Sequence, residues 1–251
     1  MGQSSFVDCC RGPPITETKS FKYLGSLFNS EASCDEEVKS RLAIARQRMG
    51  ELMPIWKSRT ISNRLKARLI KALVWPIVTY GSEAWTLNKE LEGNIGAFEM
   101  HCYRRSMRSS GTEHVTNGEV LQRVGQDRAL MGQVKSRKLK YFGRVSRHNS
   151  LEKDIVLGTM PGTRRQEGQK RQWIDNVTQW TGKSLVDIVR LAENRDMYRR
   201  FVYGVAYTLV YRARHILASL SSFAFTYTVV VFERPSHKCS KIDAKKNKFW
   251  H

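Results

Sequence analysis

Residues 35–56 read DEEVKSRLAIARQRMGELMPIW, and the apolar members Val38, Leu42, Ala45, Met49, Leu52 and Trp56 recur in alternating steps of four and three. Such steps draw one stripe along an α-helix, and Lys39, Arg41, Arg46 and Arg48 fall largely off it. Asp35, Glu36 and Glu37 stand in the first turn, where the helix dipole favours anions, while Gly50 and Pro54 weaken the last turns. The segment predicts an amphipathic helix that needs partners to cover its stripe.

Downstream, Ile61, Leu65, Leu69, Ala72 and Leu73 suggest a second helix, with Arg64, Arg68 and Lys71 on a different face and Trp75 one turn further on. Pro76 should kink or end it, and YGSEAWTL at 80–87 reads as the connection to a third helix marked by Leu91, Ile95, Phe98 and Cys102. Three antiparallel amphipathic helices make a bundle. Thr116 with Glu119 forms a capping box for a short helix ending at Gly125, and residues 127–148 read as mainly helical. A turn-rich linker holding Pro161, Gly162 and Gly168 precedes two more helical patterns, one with Trp173, Val177 and Trp180, the other with Leu185, Ile188, Val189 and Ala192. Upstream of them all, FKYLGS at 21–26 reads as a strand turning into a loop. The fold class is mainly α: a helical bundle with a short N-terminal strand segment and a basic helical C-terminal region.

Charge narrows the partners. The 251 residues carry 43 Lys and Arg against 23 Asp and Glu, a formal net charge of +20. An apolar content of 41% is enough for a sizeable core, which excludes a disordered tail. Residues 134–171 hold eleven basic and three acidic side chains, so the charge is concentrated, and Tyr141 and Phe142 stand among Lys138, Lys140 and Arg144. Cations hold phosphates and aromatic faces stack bases, so this pattern points to nucleic acid. A shorter basic run, Arg164, Arg165, Lys170 and Arg171, also fits a solvated loop or a nuclear-localisation-like signal.

Other classes carry less. Five cysteines at irregular spacing, without a signal peptide, point to a reducing, intracellular compartment, nucleus or cytoplasm. Cys102, His101, His114 and His148 lack the close ligand pairs of structural zinc, and Cys102 lies on an apolar stripe, so it reads as a core cysteine; no metal or cofactor is expected. Trp173 and Trp180, seven residues apart, read as a buried face rather than a stacking platform. Residues 216–232 carry no charge but include five Ser and Thr, and at the low edge of spanning length they make a membrane span the less favoured reading.

Seven blocks in order resemble the downstream end of the reverse transcriptase of LINE-type, non-LTR retrotransposons, the endonuclease-reverse transcriptase family. They are FKYLGS (21–26), YGSEAWTL (80–87), FEMHCYRR (98–105), HVTNGEVLQRVGQ from His114, KLKYFGRVSRH from Lys138, GQKRQWIDNV from Gly168 and RLAENRDMYRRFV from Arg190, together about residues 19–203. Gly111, Arg144 and Tyr198 stand where relatives often have Trp, His and Trp. The resemblance implies a remnant of the palm and primer grip at 1–30, a thumb-like bundle at 31–126, a basic helical region at 127–203 and an unrecognised tail at 204–251. It implies that Tyr23, Leu24 and Gly25 help to position a primer end, and that the missing palm is a possible partner.

The family's polymerase chemistry needs paired carboxylates on two divalent ions, and this chain holds no Asp-Asp pair, so no polymerase activity is expected of it. The expected function is binding of RNA or RNA:DNA hybrid without sequence preference. Its phosphate contacts are expected from Arg64, Arg68 and Lys71, then Arg137, Lys138, Lys140, Arg144, Arg164, Arg165, Lys170 and Arg171. The alternative is a protein-interaction scaffold whose apolar faces dock a partner; a membrane role through 216–232 comes last.

Overall fold

The computed structural model describes residues 18–30, 33–108, 115–160 and 171–219, with side chains as far as Tyr207. Arg164, Arg165, Lys170, His114 and residues 220–251, which include most of the uncharged run, lie outside the described residues.

The opening stripe does what its spacing dictates. Helix α1 (Asp35–Glu51) buries Val38, Leu42, Ala45 and Met49, and Pro54 sits at the start of the short α2 (Met53–Lys57), which seats Trp56 in the core. The indole N–H of Trp56 donates to Met49 O at 2.9 Å, so this large ring is buried without an orphaned donor. After α3 (Asn63–Leu73) the proline that ends the pattern falls in the first turn of α4 (Trp75–Val78), a position where its missing N–H costs nothing. Helix α5 (Lys89–Met107) buries Leu91, Ile95, Phe98 and Cys102 as its period requires. Cys102 is a core residue whose thiol is pushed up to about 12, chiefly by burial.

Helix α3 departs from the expected face. Leu65 and Leu73 are 44% and 37% exposed, whereas Ala67, Ile70 and Val74 are fully buried and Lys66 nearly so. Lys66 lays its aliphatic stem on the core and its ammonium donates to Trp56 O at 2.8 Å, so a residue scored as polar occupies the inner face.

The capping box of α6 (Asn117–Val124) is formed as read, with Glu119 N donating to Thr116 Oγ1 at 3.3 Å and Thr116 N to Glu119 Oε2 at 2.8 Å; Gly125 closes the helix at φ +64°. Helix α7 (Leu130–Val145) begins at Ala129, which has no side chain to cap it. Glu99 of α5 supplies the acceptor instead, taking Ala129 N at 2.8 Å and Leu130 N at 3.2 Å from thirty residues away. Helices α8 (Leu151–Leu157), α9 (Trp173–Thr181), α10 (Leu185–Glu193) and α11 (Arg195–Ser219) follow. Two apolar clusters result, one from Val38 to Val134 and one around Leu139, Phe142, Val177, Ile188, Ala192, Tyr198 and Val202, and α7 contributes to both.

The N-terminal strand segment is a complete hairpin. β1 (Ser20–Tyr23) and β2 (Ser26–Asn29) pair antiparallel with Tyr23 opposite Ser26, leaving Leu24 and Gly25 as a two-residue turn at φ +47° and +82°. Both residues in the left-handed region define the turn whose twist suits a hairpin, and Leu24 carries the steric cost, about 1–2 kcal/mol. The turn is tied down: Tyr80 OH donates to Leu24 O at 2.8 Å, Arg41 donates to Gly25 O, and Glu37 both accepts Leu27 N and pairs with Arg41, each at 2.7 Å.

Candidate nucleic-acid interface

Helices α7 and α11 run antiparallel and approach closely at two glycines. A Cβ on Gly132 would lie 2.6 Å from Ala206 O, and one on Gly143 would lie 2.2 Å from Cε1 of Tyr198. This contact leaves a cleft of about 600 Å³ along the helix pair. Arg137, Lys140, Arg144 and Arg147 line it from α7 and the turn after it, and Arg195 and Arg199 line it from α11; Glu83 is the acid along it. The α7 residues follow steps of three, four and three, which set them on one face over about 15 Å of helix rise.

Two of the cations are held by the fold. Arg137 donates to Thr79 O at 2.8 Å and Arg147 to Ala192 O at 3.0 Å. Lys140, Arg144, Arg195 and Arg199 are exposed. Of the expected contacts, Arg137, Lys140 and Arg144 are thus brought together. Arg147, Arg195 and Arg199 were missed, although the spacing 137, 140, 144, 147 and the step of four from 195 to 199 were readable as two basic stripes.

Lys138 leaves the phosphate set. It is 0% exposed, and its ammonium donates to Trp85 O at 2.7 Å and Asn176 Oδ1 at 3.0 Å, 4.3 Å from the centre of the Trp173 ring. Its odd position in the stripe of α7 turns it inward between the two apolar clusters. Burial pushes its pKa down to about 7, with Arg171 acting in the same direction and Cys34 and Asp175 against it. The seam is closed by one face of α9: Trp173 donates to Glu83 O, Trp180 to Glu92 Oε1, and Asn176 both accepts Leu87 N and donates to Leu87 O, all at 2.8 Å. The two tryptophans pack as a half-buried docking face, in line with the reading as core. Phe142 is fully buried, stacked on Trp173 at 6.5 Å, so the expectation that it stacks bases fails.

The remaining expected contacts are dispersed. Arg64 and Arg68 are exposed on α3, which packs on α4, α5 and α6, and neither lines the cleft. Lys71 is half-buried, donates to Gln126 and lies 5.4 Å from the Trp75 ring; burial lowers its pKa against the pull of Glu99 and Asp127. Arg171 is partly buried and donates to Gln179. Tyr23 and Leu24 are exposed at the hairpin tip, Leu24 by 75%.

Comparison with known proteins gives one informative relative. The chain is 28% identical over 136 residues to a transposon-derived protein of Caenorhabditis elegans, an alignment that covers 53% of this chain and 48% of that protein. The chain thus spans about half the length of the relative, and the match supports a transposon-related origin. No family profile and no solved structure matches. Among the described residues no helix is long and apolar enough to cross a membrane.

Proposed function

We propose that this chain is the thumb-like and downstream part of a LINE-type retrotransposon reverse transcriptase, without its catalytic palm, and that it binds RNA or RNA:DNA hybrid through phosphate contacts. The observation that carries this reading is the convergence of six cations, from α7, the turn after it and α11, on one cleft whose lining among the described residues includes one acid, Glu83. The transposon-derived relative and the seven ordered sequence blocks support the origin. The sequence holds no Asp-Asp pair of the kind the family's two-metal chemistry uses, and the reading is accordingly one of binding. Titration of affinity against salt is the test. Six contacts give a slope of log K against log salt between about −4.2 for a single strand and about −5.4 for a duplex, and a slope near zero overturns the reading.

A second reading has its own observation. The hairpin exposes Phe21, Tyr23, Leu24 and Phe28, with Phe21 stacked on Phe28 at 5.4 Å, and α3 exposes Leu65 and Leu73. Apolar surface of this kind fits a protein partner, the palm included. A pull-down that returns one protein and no nuclease-sensitive material favours the scaffold role.

A further inference from the structure

A second cleft, of about 470 Å³, opens where the ends of three helices meet, and it shares no lining residue with the α7–α11 cleft. Lys57 closes α2, Asn63 opens α3 and Met107 ends α5, and each lines it. Four cations stand along it, Lys57, Arg59, Lys66 and Arg108, and among the described residues no acid does. We propose that this cleft binds a small anion carrying two linked phosphate groups, a diphosphate.

Lys66 carries the inference. It is 6% exposed, and its ammonium donates to a neutral acceptor, Trp56 O at 2.8 Å, with no carboxylate in the lining to balance it. A buried charge is ordinarily paired, because desolvation without a counter-ion is costly. An anion in the cleft supplies the pair, and an ammonium with three donors has two left for it. Arg108 is an independent sign. Its φ of +58° lies in the left-handed region, which strains any residue but glycine, and this backbone sets its side chain along the cleft. The first turn of α3 adds Arg64 and no acid, the reverse of what the helix dipole favours.

Charge decides the class of ligand. One phosphate group carries about −1.5 to −2 at pH 7, so two bring roughly −3 to −4 against four cations, whereas one leaves about half of them unmatched. The guanidinium forks of Arg59 and Arg108 suit pairs of phosphate oxygens, and the two ammonium groups act as point charges. Ile61 and Met107 offer apolar contact to an organic ester.

The test is isothermal titration calorimetry of the full chain with inorganic diphosphate, isopentenyl diphosphate and inorganic phosphate at fixed ionic strength. Both diphosphates should bind at least about tenfold tighter than phosphate. Preference for the ester assigns Ile61 and Met107 to its organic part, and equal affinity assigns the site to free diphosphate. Lys57→Gln/Arg59→Gln, changed at two exposed positions, should weaken diphosphate at least about tenfold, as should Arg108→Asn, since Asn tolerates the left-handed backbone. Circular dichroism should stay unchanged in both. Lys39→Gln/Arg200→Gln, exposed and outside both clefts, removes the same charge and should leave affinity within about twofold. Diphosphate that binds no tighter than phosphate overturns the inference. So does equal weakening by the two double variants, which attraction to the net charge of +20 would produce. The nucleic-acid reading does not enter this inference and survives either result, because its own test lies in the α7–α11 cleft.

Discussion

At the residue scale, Lys138 shows how far a basic motif misleads when its environment is unknown. It belongs to the densest cationic run, yet it joins two carbonyl oxygens and an indole face in the interior. Its pKa is lowered on folding, so between about 7 and the unfolded value near 10.4 the unfolded chain binds more protons than the folded one. Stability from this group therefore rises with pH across that window, by at most about 1.4 kcal/mol per unit, and is flat below it. Urea unfolding at pH 6.5 and 8.5 should show this rise in the wild type and its loss in Lys138→Met. A variant that keeps the full rise would show that Lys138 is not its source. Lys138→Gln, in turn, should alter the unfolding midpoint and leave the salt slope of binding unchanged.

At the element scale, the α7–α11 contact is the device that builds the cleft, and glycine makes it possible. Gly143→Ala places a methyl against the ring of Tyr198, which neither helix can yield without moving apart. A loss of about 1–3 kcal/mol in unfolding free energy is expected, with binding weakened through the displaced α11 cations. Wild-type stability in that variant would show the contact to be loose. The boundary read at residue 203 falls inside α11, because Ala206 is buried against α7 and Gly132 meets its carbonyl. Truncation after Tyr203 should therefore destabilise the helix pair, whereas truncation after Ser219 should leave the thermal midpoint within a few degrees. Equal midpoints for the two would restore the earlier boundary.

At the scale of the whole molecule, a net charge of +20 favours polyanionic partners, and the α7–α11 cleft is where the proposed binding gathers exposed cations. Replacing Lys140, Arg144, Arg195 and Arg199 by Gln removes four exposed cations from one cleft and should weaken binding similarly for unrelated sequences. The salt slope should fall by about 0.7 to 0.9 per contact, with circular dichroism unchanged. The same substitution of Arg64 and Arg68 on α3 should have a smaller effect, since these lie outside the cleft. A larger effect from α3 would move the interface to that helix.

The helical class, the stripes of α1 and α5, the α6 capping box and the proline at α4 were all legible in the sequence, because period, caps and proline act through neighbours a few residues away. The hairpin was half legible: the Gly25 turn could be read, but the return strand is held by Glu37, Arg41 and Tyr80 from elsewhere in the chain. The face of α3 was misread because Lys66 has a long apolar stem whose ammonium finds a carbonyl only once Trp56 is in place. The cleft shows the same division. Sequence alone located the basic stripe, but turning Lys138 inward, pairing α7 with α11 and adding Arg195 and Arg199 to the site were decided by tertiary structure, since which face of a helix meets solvent depends on what packs against the other.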